Sequence, residues 1–571
     1  MNVWHQIYDP FGNPLLSTAI AAIPVVILLG LIALGHVKTH VAAMIALAAA
    51  FLVAVFGFSM PAMMAVKASW YGFMIGLFPI GWIIINVIFL YRLTVENGSF
   101  QTLQNSLADI VPDRRLQLLL IAFCFGAFFE GAAGFGTPVA VTGAILIGLG
   151  FSPLAASGLA LIANTAPVAF GALGTPIITL ASVMQLTGNN DLDAFHLGAM
   201  VGRQLPFFSL LVPFWLIWAF AGFRGMIQIW PAILVCGGSF ALMQFAISNY
   251  HGPWLVDVAG SLVSMLCLIG FLKIWQPRQI WTSAKLRNRP DDIPADAVPA
   301  GSLSAAATPE SLRTTADRKA VLSSWVPWII LCVFVFIWGT QTFKSIVNPI
   351  FSPKWAIDGL HMLVQKMPPV VPTPVLEGAV FNFNILTMTG TGIFVAAIVA
   401  GLVMKYSPVR LVRAYGETFW VLRAPLLTVA AMLALGTLTK YSGVDATLGL
   451  AFASTGVLYP FFGTLLGWLG VALTGSDTAS NVLFGGLQKT AAQQLGLSPI
   501  LMGAANSSGG VMGKMIDAQS IVVAATATNY VGNEGKILRY VFWHSIVLAC
   551  LVGGLIMLQA YVWPFTSLVI H

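Results

Sequence analysis

Runs of apolar residues long enough to cross a bilayer recur along nearly the whole of this 571-residue chain, and they leave few folds open to it. A crossing helix needs about 20 mostly apolar residues. Such runs stand at 15–34, 41–58, 71–91, 198–221, 226–248, 254–272, 325–343, 384–404, 418–439 and 538–563. Hydrophobic residues make up 58% of the chain and charged residues 8%, where a soluble domain carries about 25% charged. No globular core hides that much apolar surface, so the sequence reads as an all-α polytopic membrane protein with lipid as its surroundings. The excess of base, 27 Lys+Arg over 20 Asp+Glu, would suggest nucleic acid on a soluble chain. Here it reads as cationic loops on the cytoplasmic side, with no nucleic-acid partner. The five cysteines, Cys124, Cys236, Cys267, Cys332 and Cys550, lie in apolar runs without metal-ligand spacing and read as packing residues, with no metal or cofactor expected. Met1 to Pro14 lacks the cationic start of a signal peptide, so the first apolar run is expected to stay as a membrane helix.

Four segments depart from the simple pattern. Residues 153–183 and 499–530 are too long for one plain helix and carry polar residues and glycine mid-span. Residues 116–150 and 462–496 each hold two apolar limbs of 11 to 14 residues around a polar, glycine-bearing centre, which suits re-entrant hairpins. Residues 276–323, rich in Pro, Ser, Ala and mixed charge, read as a cytoplasmic linker. A first repeat then covers 1–223, two linking helices 224–275, and a second repeat 324–571. Asn97-Gly98 matches Ser442-Gly443 at an offset of 345, and Leu149-Gly150-Phe151-Ser152-Pro153 matches Leu495-Gly496-Leu497-Ser498-Pro499 at 346. Ala163-Asn164-Thr165 and Gly171 match Ala505-Asn506-Ser507 and Gly513 at 342. With the N-terminus outside and both hairpins returning to their side of entry, 19 of the 27 Lys+Arg fall inside. The halves are then inverted, giving about 12 transmembrane helices plus two re-entrant hairpins, a build used by secondary transporters with substrate near the midplane.

In hydrocarbon, a broken helix is tolerated where it lines a cavity or binds something. The first hairpin tip reads Glu130-Gly131-Ala132-Ala133-Gly134-Phe135-Gly136-Thr137-Pro138, and the second Thr474-Gly475-Ser476-Asp477-Thr478-Ala479-Ser480-Asn481. The broken helices carry Asn164-Thr165-Ala166-Pro167 and Asn506-Ser507-Ser508-Gly509-Gly510. Hydroxyls and amides beside free helix N-termini suit a small anion, such as a carboxylate with a neighbouring hydroxyl. The candidate substrate contacts are Gly131, Thr137, Asn164, Thr165, Thr474, Ser476, Thr478, Asn506, Ser507, Lys514 and Gln519. Any one of the small residues could equally serve close helix packing. Four polar clusters at matched places favour a site. Glu130 and Asp477 are the candidate proton-coupling residues, the alternative being carboxylates kept ionised by a donor or cap. Lys514 and Asp517, three apart, either pair with each other or face substrate. Arg203, Asp257 and His544 lie near segment boundaries and are expected to reach toward the interface, and Trp70, Trp325 and Trp328 read as interfacial anchors. With no GxxxxGK[ST], HExxH or GxSxG motif, neither ATP drive nor enzyme chemistry is expected.

Longer motifs carry a family resemblance. Phe128-Phe129-Glu130-Gly131-Ala132-Ala133-Gly134-Phe135-Gly136, Asn164-Thr165-Ala166-Pro167-Val168-Ala169-Phe170-Gly171, Gly202-Arg203-Gln204-Leu205-Pro206, Leu473-Thr474-Gly475-Ser476-Asp477-Thr478 and Ala491-Ala492-Gln493-Gln494 closely resemble the bacterial L-lactate permease family. The opening Trp4-His5-Gln6-Ile7-Tyr8-Asp9-Pro10 and closing Leu558-Gln559-Ala560-Tyr561-Val562 do so too. The resemblance implies uptake of lactate or a similar 2-hydroxymonocarboxylate, often glycolate, by proton symport across the bacterial inner membrane. It also implies an elevator-type architecture, and elevator folds often dimerise, so a homodimer is expected by analogy. Both termini are then periplasmic. Asp517-Ala518 departs from the family pattern, which has Ser-Pro there, and this bears on substrate range and coupling. The rival readings are a sodium-coupled carrier of another small organic anion such as a dicarboxylate, since hairpin carbonyls and Ser/Asn oxygens also suit Na⁺, and a channel for small anions.

Overall fold

The structure, a computed structural model, describes residues 3–33, 37–102, 111–134, 136–282, 297–299, 318–371, 373–531 and 533–570. Among the described residues nine helices are long and apolar enough to cross a membrane, or ten if the bent pair Pro153–Ala163 and Val168–Met184 forms one span. The chain is a multi-pass membrane protein. Runs 254–272 and 384–404 fold as the shorter apolar helices Val256–Leu272 and Thr389–Val403.

Two helices of 35 residues, Ala62–Glu96 and Pro408–Ser442, pack against each other and extend well past the apolar runs that announce them. They begin 346 residues apart, and their internal prolines, Pro79 and Pro425, stand at the same offset. Proline removes a backbone donor and opens the helix around it; at Pro79 the chain passes through a π-helical turn, Gly76–Gly81, with Phe78 non-helical. Glycine lets the two backbones touch, since a Cβ on Gly76 would stand 2.5 Å from Ala430 Cα and one on Gly72 would collide with Leu433 O.

The first hairpin pairs Arg114–Ala132 with Thr137–Gly148, and the second pairs Tyr459–Thr474 with Asp477–Gln494. Their limbs of 19, 12, 16 and 18 residues mostly exceed the expected 11 to 14. A π-helical stretch, Leu119–Phe125, carries the first limb through without a stop, and the polar end of the last limb stays helical. Phe135, in the first tip, lies outside the described residues.

The first broken helix stops at Ala163, turns through 164–167, and resumes with a bend of 65°. The second, Pro499–Gly513 and Ala518–Ala527, breaks at 514–517. Asn506-Ser507-Ser508-Gly509-Gly510, expected as the interruption, is helical. Its small residues serve close approach instead: a Cβ on Gly509 would collide with Thr464 O, and one on Gly467 with Asn506 O.

Short strands, which the all-α reading does not include, cover one face. Trp4–His5 runs parallel to Val364–Lys366, which pairs antiparallel with Val375–Glu377, and Lys354–Ala356 pairs with Val380–Asn382. Gln6 donates to the carbonyls of Lys440 at 3.0 Å and Tyr441 at 2.9 Å. The N-terminal strand, the strands Lys354–Ala356, Val364–Lys366, Val375–Glu377 and Val380–Asn382, and the end of Pro408–Ser442 therefore lie together. Most of the linker expected at 276–323 lies outside the described residues, which include the strand pair Gln279–Trp281 and Ala297–Pro299.

Several boundary residues sit deeper than expected. Asp257 is 1% exposed, inside the protein and not at an interface. Trp328 is also 1% exposed and packs its ring against Phe128, with centroids 5.1 Å apart, whereas Trp70 is outward-facing. Arg203 donates to Asn249 Oδ1 at 2.9 Å and to Leu568 O, and Trp215 donates to His544 Nδ1. Cys124 and Cys236 are buried with sulfurs 3.4 Å apart, while Cys267 faces outward.

Candidate functional site

Each tip and break owes its shape to local backbone chemistry. In the second tip, Gly475 takes a left-handed conformation (φ 75), and Ser476 then caps the return limb by accepting from Ala479 N at 3.3 Å. In the second broken helix, Asp517 caps Ala518–Ala527 by accepting from Ser520 N at 2.7 Å. The first broken helix resumes through three successive left-handed residues, Ala172 (φ 43), Leu173 (φ 56) and Gly174 (φ 79). Two of these carry side chains, so the path is strained, and Thr175 Oγ1 donating to Ala172 O at 2.6 Å fastens it.

These four features converge on a cavity of about 490 Å³. One side is polar, built from Glu130, Thr175, Thr474, Ser476, Asp477, Thr478, Lys514 and Gln519 with the backbone of Gly134, Gly171 and Gly475. The long helices add mostly apolar residues to the lining, Ile84, Ile88, Leu422, Val429 and Met432 with Thr428. Lys38 and His40 also line the cavity.

The two tip carboxyls are buried and held alike. Glu130, 5% exposed, accepts from Asn164 Nδ2 at Oε2, 3.0 Å away. Asp477, 3% exposed, accepts at Oδ2 from Ser507 Oγ at 2.5 Å and Asn481 Nδ2 at 3.2 Å. Each carboxyl is thus tied to the broken helix of its own half. Lys514 donates to Gly475 O at 2.5 Å and stands 3.4 Å from Asp517 Oδ2, so the expected pairing forms while the residue also lines the cavity.

Of the candidate contacts, Thr474, Ser476, Thr478, Lys514 and Gln519 line the cavity beside Glu130 and Asp477. The others stand behind them. Asn164 supports Glu130, and Thr165 donates back to Ile162 O at 2.8 Å. Ser507 supports Asp477. Asn506 donates to Asn481 Oδ1 and accepts from Gln488, which in turn accepts from Tyr459. These hydrogen bonds tie the second tip to its broken helix. Gly131 packs against Asp257, and Thr137 begins the return limb of its hairpin outside the lining. Ala172, Thr175, Lys38 and His40 escape the sequence reading. For Thr175 a signal exists: Gly174-Thr175-Pro176 repeats the Gly136-Thr137-Pro138 triplet of the first tip. Among the described residues, no three His, Cys, Asp or Glu side chains group to hold a metal ion.

The chain is similar to known proteins along nearly its whole length. The L-lactate permease family matches residues 17–563. Glycolate permease GlcA of Escherichia coli K12 is 46% identical over 575 residues, covering 100% of both chains. The L-lactate permease of the same strain is 44% identical, covering 98% of this chain and 99% of its own. That of Bacillus subtilis 168 is 41% identical at the same coverage. Among solved structures, the YdaH transporter of Alcanivorax borkumensis aligns over 86% of each chain with 14% identity and a TM-score of 0.44.

Proposed function

We propose that this chain, which belongs to the L-lactate permease family, takes up L-lactate, and with it D-lactate and glycolate, across the bacterial inner membrane by proton symport. The relatives named L-lactate permease and glycolate permease supply the substrate class. Both are small 2-hydroxymonocarboxylates, differing by a methyl group.

The observation that carries the reading is the cavity lining, which brings polar tip residues together with apolar residues of the long helices. The Lys514 ammonium and the hydroxyls of Thr474, Ser476 and Thr478 suit a carboxylate and its neighbouring hydroxyl, and the wall of Ile84, Ile88 and Val429 suits a methyl group. Glu130 and Asp477 line the same space, so a proton taken up by either offsets the charge of an entering anion. The permease family supports transport as the reading of this pocket.

The matched order of long helix, hairpin and broken helix in each half supports inverted repeats and twelve crossings. The face shared by the N-terminal strand and residues 354–382 supports the layout with both termini periplasmic. An elevator motion of the tips past the two long helices, in a homodimer, completes the proposal.

The test is uptake of labelled L-lactate into proteoliposomes holding this chain alone, with and without an inward proton gradient. Gradient-driven accumulation that a protonophore collapses supports symport. Equilibration that ignores the gradient identifies a uniporter or channel, and accumulation lost when choline replaces Na⁺ at fixed pH identifies sodium coupling. Absence of lactate flux removes the substrate assignment, with Asp517 the first residue to revert.

A further inference from the structure

A buried acid that the proposed mechanism does not use stands behind Glu130. Asp257 lies in the first turn of Val256–Leu272 and is 1% exposed. Neither of its carboxyl oxygens has a hydrogen-bond partner among the described residues, although free N–H groups at a helix start commonly serve an acid there. The first hairpin tip lies directly against it: a Cβ on Gly131 would stand 2.7 Å from Asp257 Cβ and 2.9 Å from Val258 N. Only glycine leaves room for that contact. The residue before Gly131 is Glu130, which lines the cavity and accepts from Asn164.

An ionised carboxylate with no donor and no counter-charge in a protein interior is costly, and a carboxyl that carries a proton there avoids that cost. Glu130 is the charged group that acts on it from the hairpin, and Lys514 and Asp517 act on Glu130 from the second broken helix. Lys344, paired with Asp191, lies over the Trp254 ring just before the helix begins. The packed helix Trp230–Tyr250 and stretch Leu119–Phe125 bring Cys236 and Cys124, which meet Ser264 further along, and an outward Tyr250. Gly171–Met184 brings no titratable group.

The geometry points to Asp257 as a second proton-binding carboxyl of the transport cycle, exchanging its proton with Glu130 across the Gly131 backbone. The inference rests on proton symport as proposed above and adds a site to it. In the exchange the proton leaves an Asp257 Oδ, which becomes a carboxylate, and binds a Glu130 carboxylate oxygen, so the charge of the pair is constant. Glu130 gives that proton to the cavity side or takes one from it. One shared proton spares the cycle a state in which two ionised acids face each other beside the tip.

The experiment compares wild type, Asp257→Asn and Asp257→Glu in proteoliposomes, reading lactate counterflow, accumulation under an inward gradient of one pH unit, and the pH profile of uptake. Such a gradient supports up to about tenfold accumulation in one-to-one symport, because a tenfold ratio is about 1.4 kcal/mol. In Asp257→Asn, accumulation is expected to fall toward the equilibrium ratio while counterflow stays within about twofold of wild type, since the amide replaces a neutral acid of the same shape. Asp257→Glu keeps an acid and is expected to accumulate with a displaced pH profile, a readout that packing alone would not move. If Asp257→Asn fails to fold, an undisplaced profile in Asp257→Glu overturns the inference. Full accumulation by Asp257→Asn also overturns it and leaves symport standing. Wild-type uptake that ignores the proton gradient overturns both.

Discussion

Asn164 donates its side-chain amide to Glu130 Oε2 at 3.0 Å, fastening the break of the first broken helix to the tip of the first hairpin. Ser507 and Asp477 make the corresponding bond in the second half. A hydrogen bond to a charged group contributes about 1.5–3 kcal/mol, so losing it is expected to cost roughly tenfold or more in a rate that depends on it. Asn164→Ala is therefore expected to slow initial lactate uptake at least about tenfold, with the amount of protein in the membrane unchanged within about twofold. Uptake by purified variant in vesicles, normalised to protein, checks this. Wild-type rates would reduce the bond to a packing contact.

Gly467 and Gly509 face each other's helices where backbones touch. A Cβ on Gly467 would collide with Asn506 O, and one on Gly509 with Thr464 O. Backbone atoms cannot swing aside, so Gly467→Ala and Gly509→Ala are each expected to destabilise the chain by about 3 kcal/mol or more, within the range seen for severe core overpacking. Gly416, in the interior of Pro408–Ser442, has nothing within 4 Å of an added Cβ. Gly416→Ala is expected to be neutral or to stabilise by about 0.5–1 kcal/mol, the usual helix-interior gain. Thermal unfolding of the three detergent-solubilised variants separates the cases, and equal melting of all three would contradict the packing geometry.

The membrane class and most crossings are legible in the sequence because uninterrupted apolar runs admit few alternatives. Helix ends are less so. The runs 71–91 and 418–439 become 35-residue helices, since Arg92 and Glu96 in one, and Arg410 and Glu417 in the other, stay helical beyond the apolar core. Glu130 and Asp477 stand out because hydrocarbon tolerates a carboxyl only with a partner or a role. The second break is misread for the same reason in reverse: Asn506 and Ser507 are polar, but Asn481, Gln488 and Asp477 satisfy them sideways, so the helix runs on. Ala172 and Leu173 carry no polar signal for their left-handed backbone, while the flanking Gly171 and Gly174 stand close to Glu130 and Pro253. Asp257 looks like a boundary residue because its apolar run begins at 254, yet the hairpin tip covers it.

Lys514 is the cation closest to the tip carboxyls in the cavity lining, fixed by Gly475 O at 2.5 Å. If it receives the substrate carboxylate, Lys514→Met removes that charge and is expected to raise the half-saturating lactate concentration at least about tenfold, the scale of a lost charge-assisted bond. Lys514→Arg keeps charge but brings a wider, planar head group to a tight turn, and is expected to fall between the two. Initial rates across a lactate series check both. An unchanged half-saturation in Lys514→Met, with only the maximal rate lowered, would confine the residue to holding the second tip.

On the strand-covered face, Glu377 lies 2.7 Å from Lys366 Nζ and 3.0 Å from Lys440 Nζ, joining a strand to the end of Pro408–Ser442. Burial by itself pushes the Glu377 carboxyl up, but the Lys440 and Lys366 ammonium groups outweigh it and hold the carboxyl down from the ordinary 4.5 to about 2. A carboxyl depressed on folding contributes stability that is fully present above its unfolded value and is lost as pH falls toward its folded one. Wild type is therefore expected to lose on the order of 3 kcal/mol between pH of about 4.5 and about 2 through this group. Glu377→Gln cannot titrate, so it should lack that part of the acid slope. It should also be less stable near neutral pH, where two ammonium groups lose their counter-charge. Melting temperatures of both proteins across the acid range check the sign: parallel curves would show that the Lys366–Glu377–Lys440 group does not hold this face together.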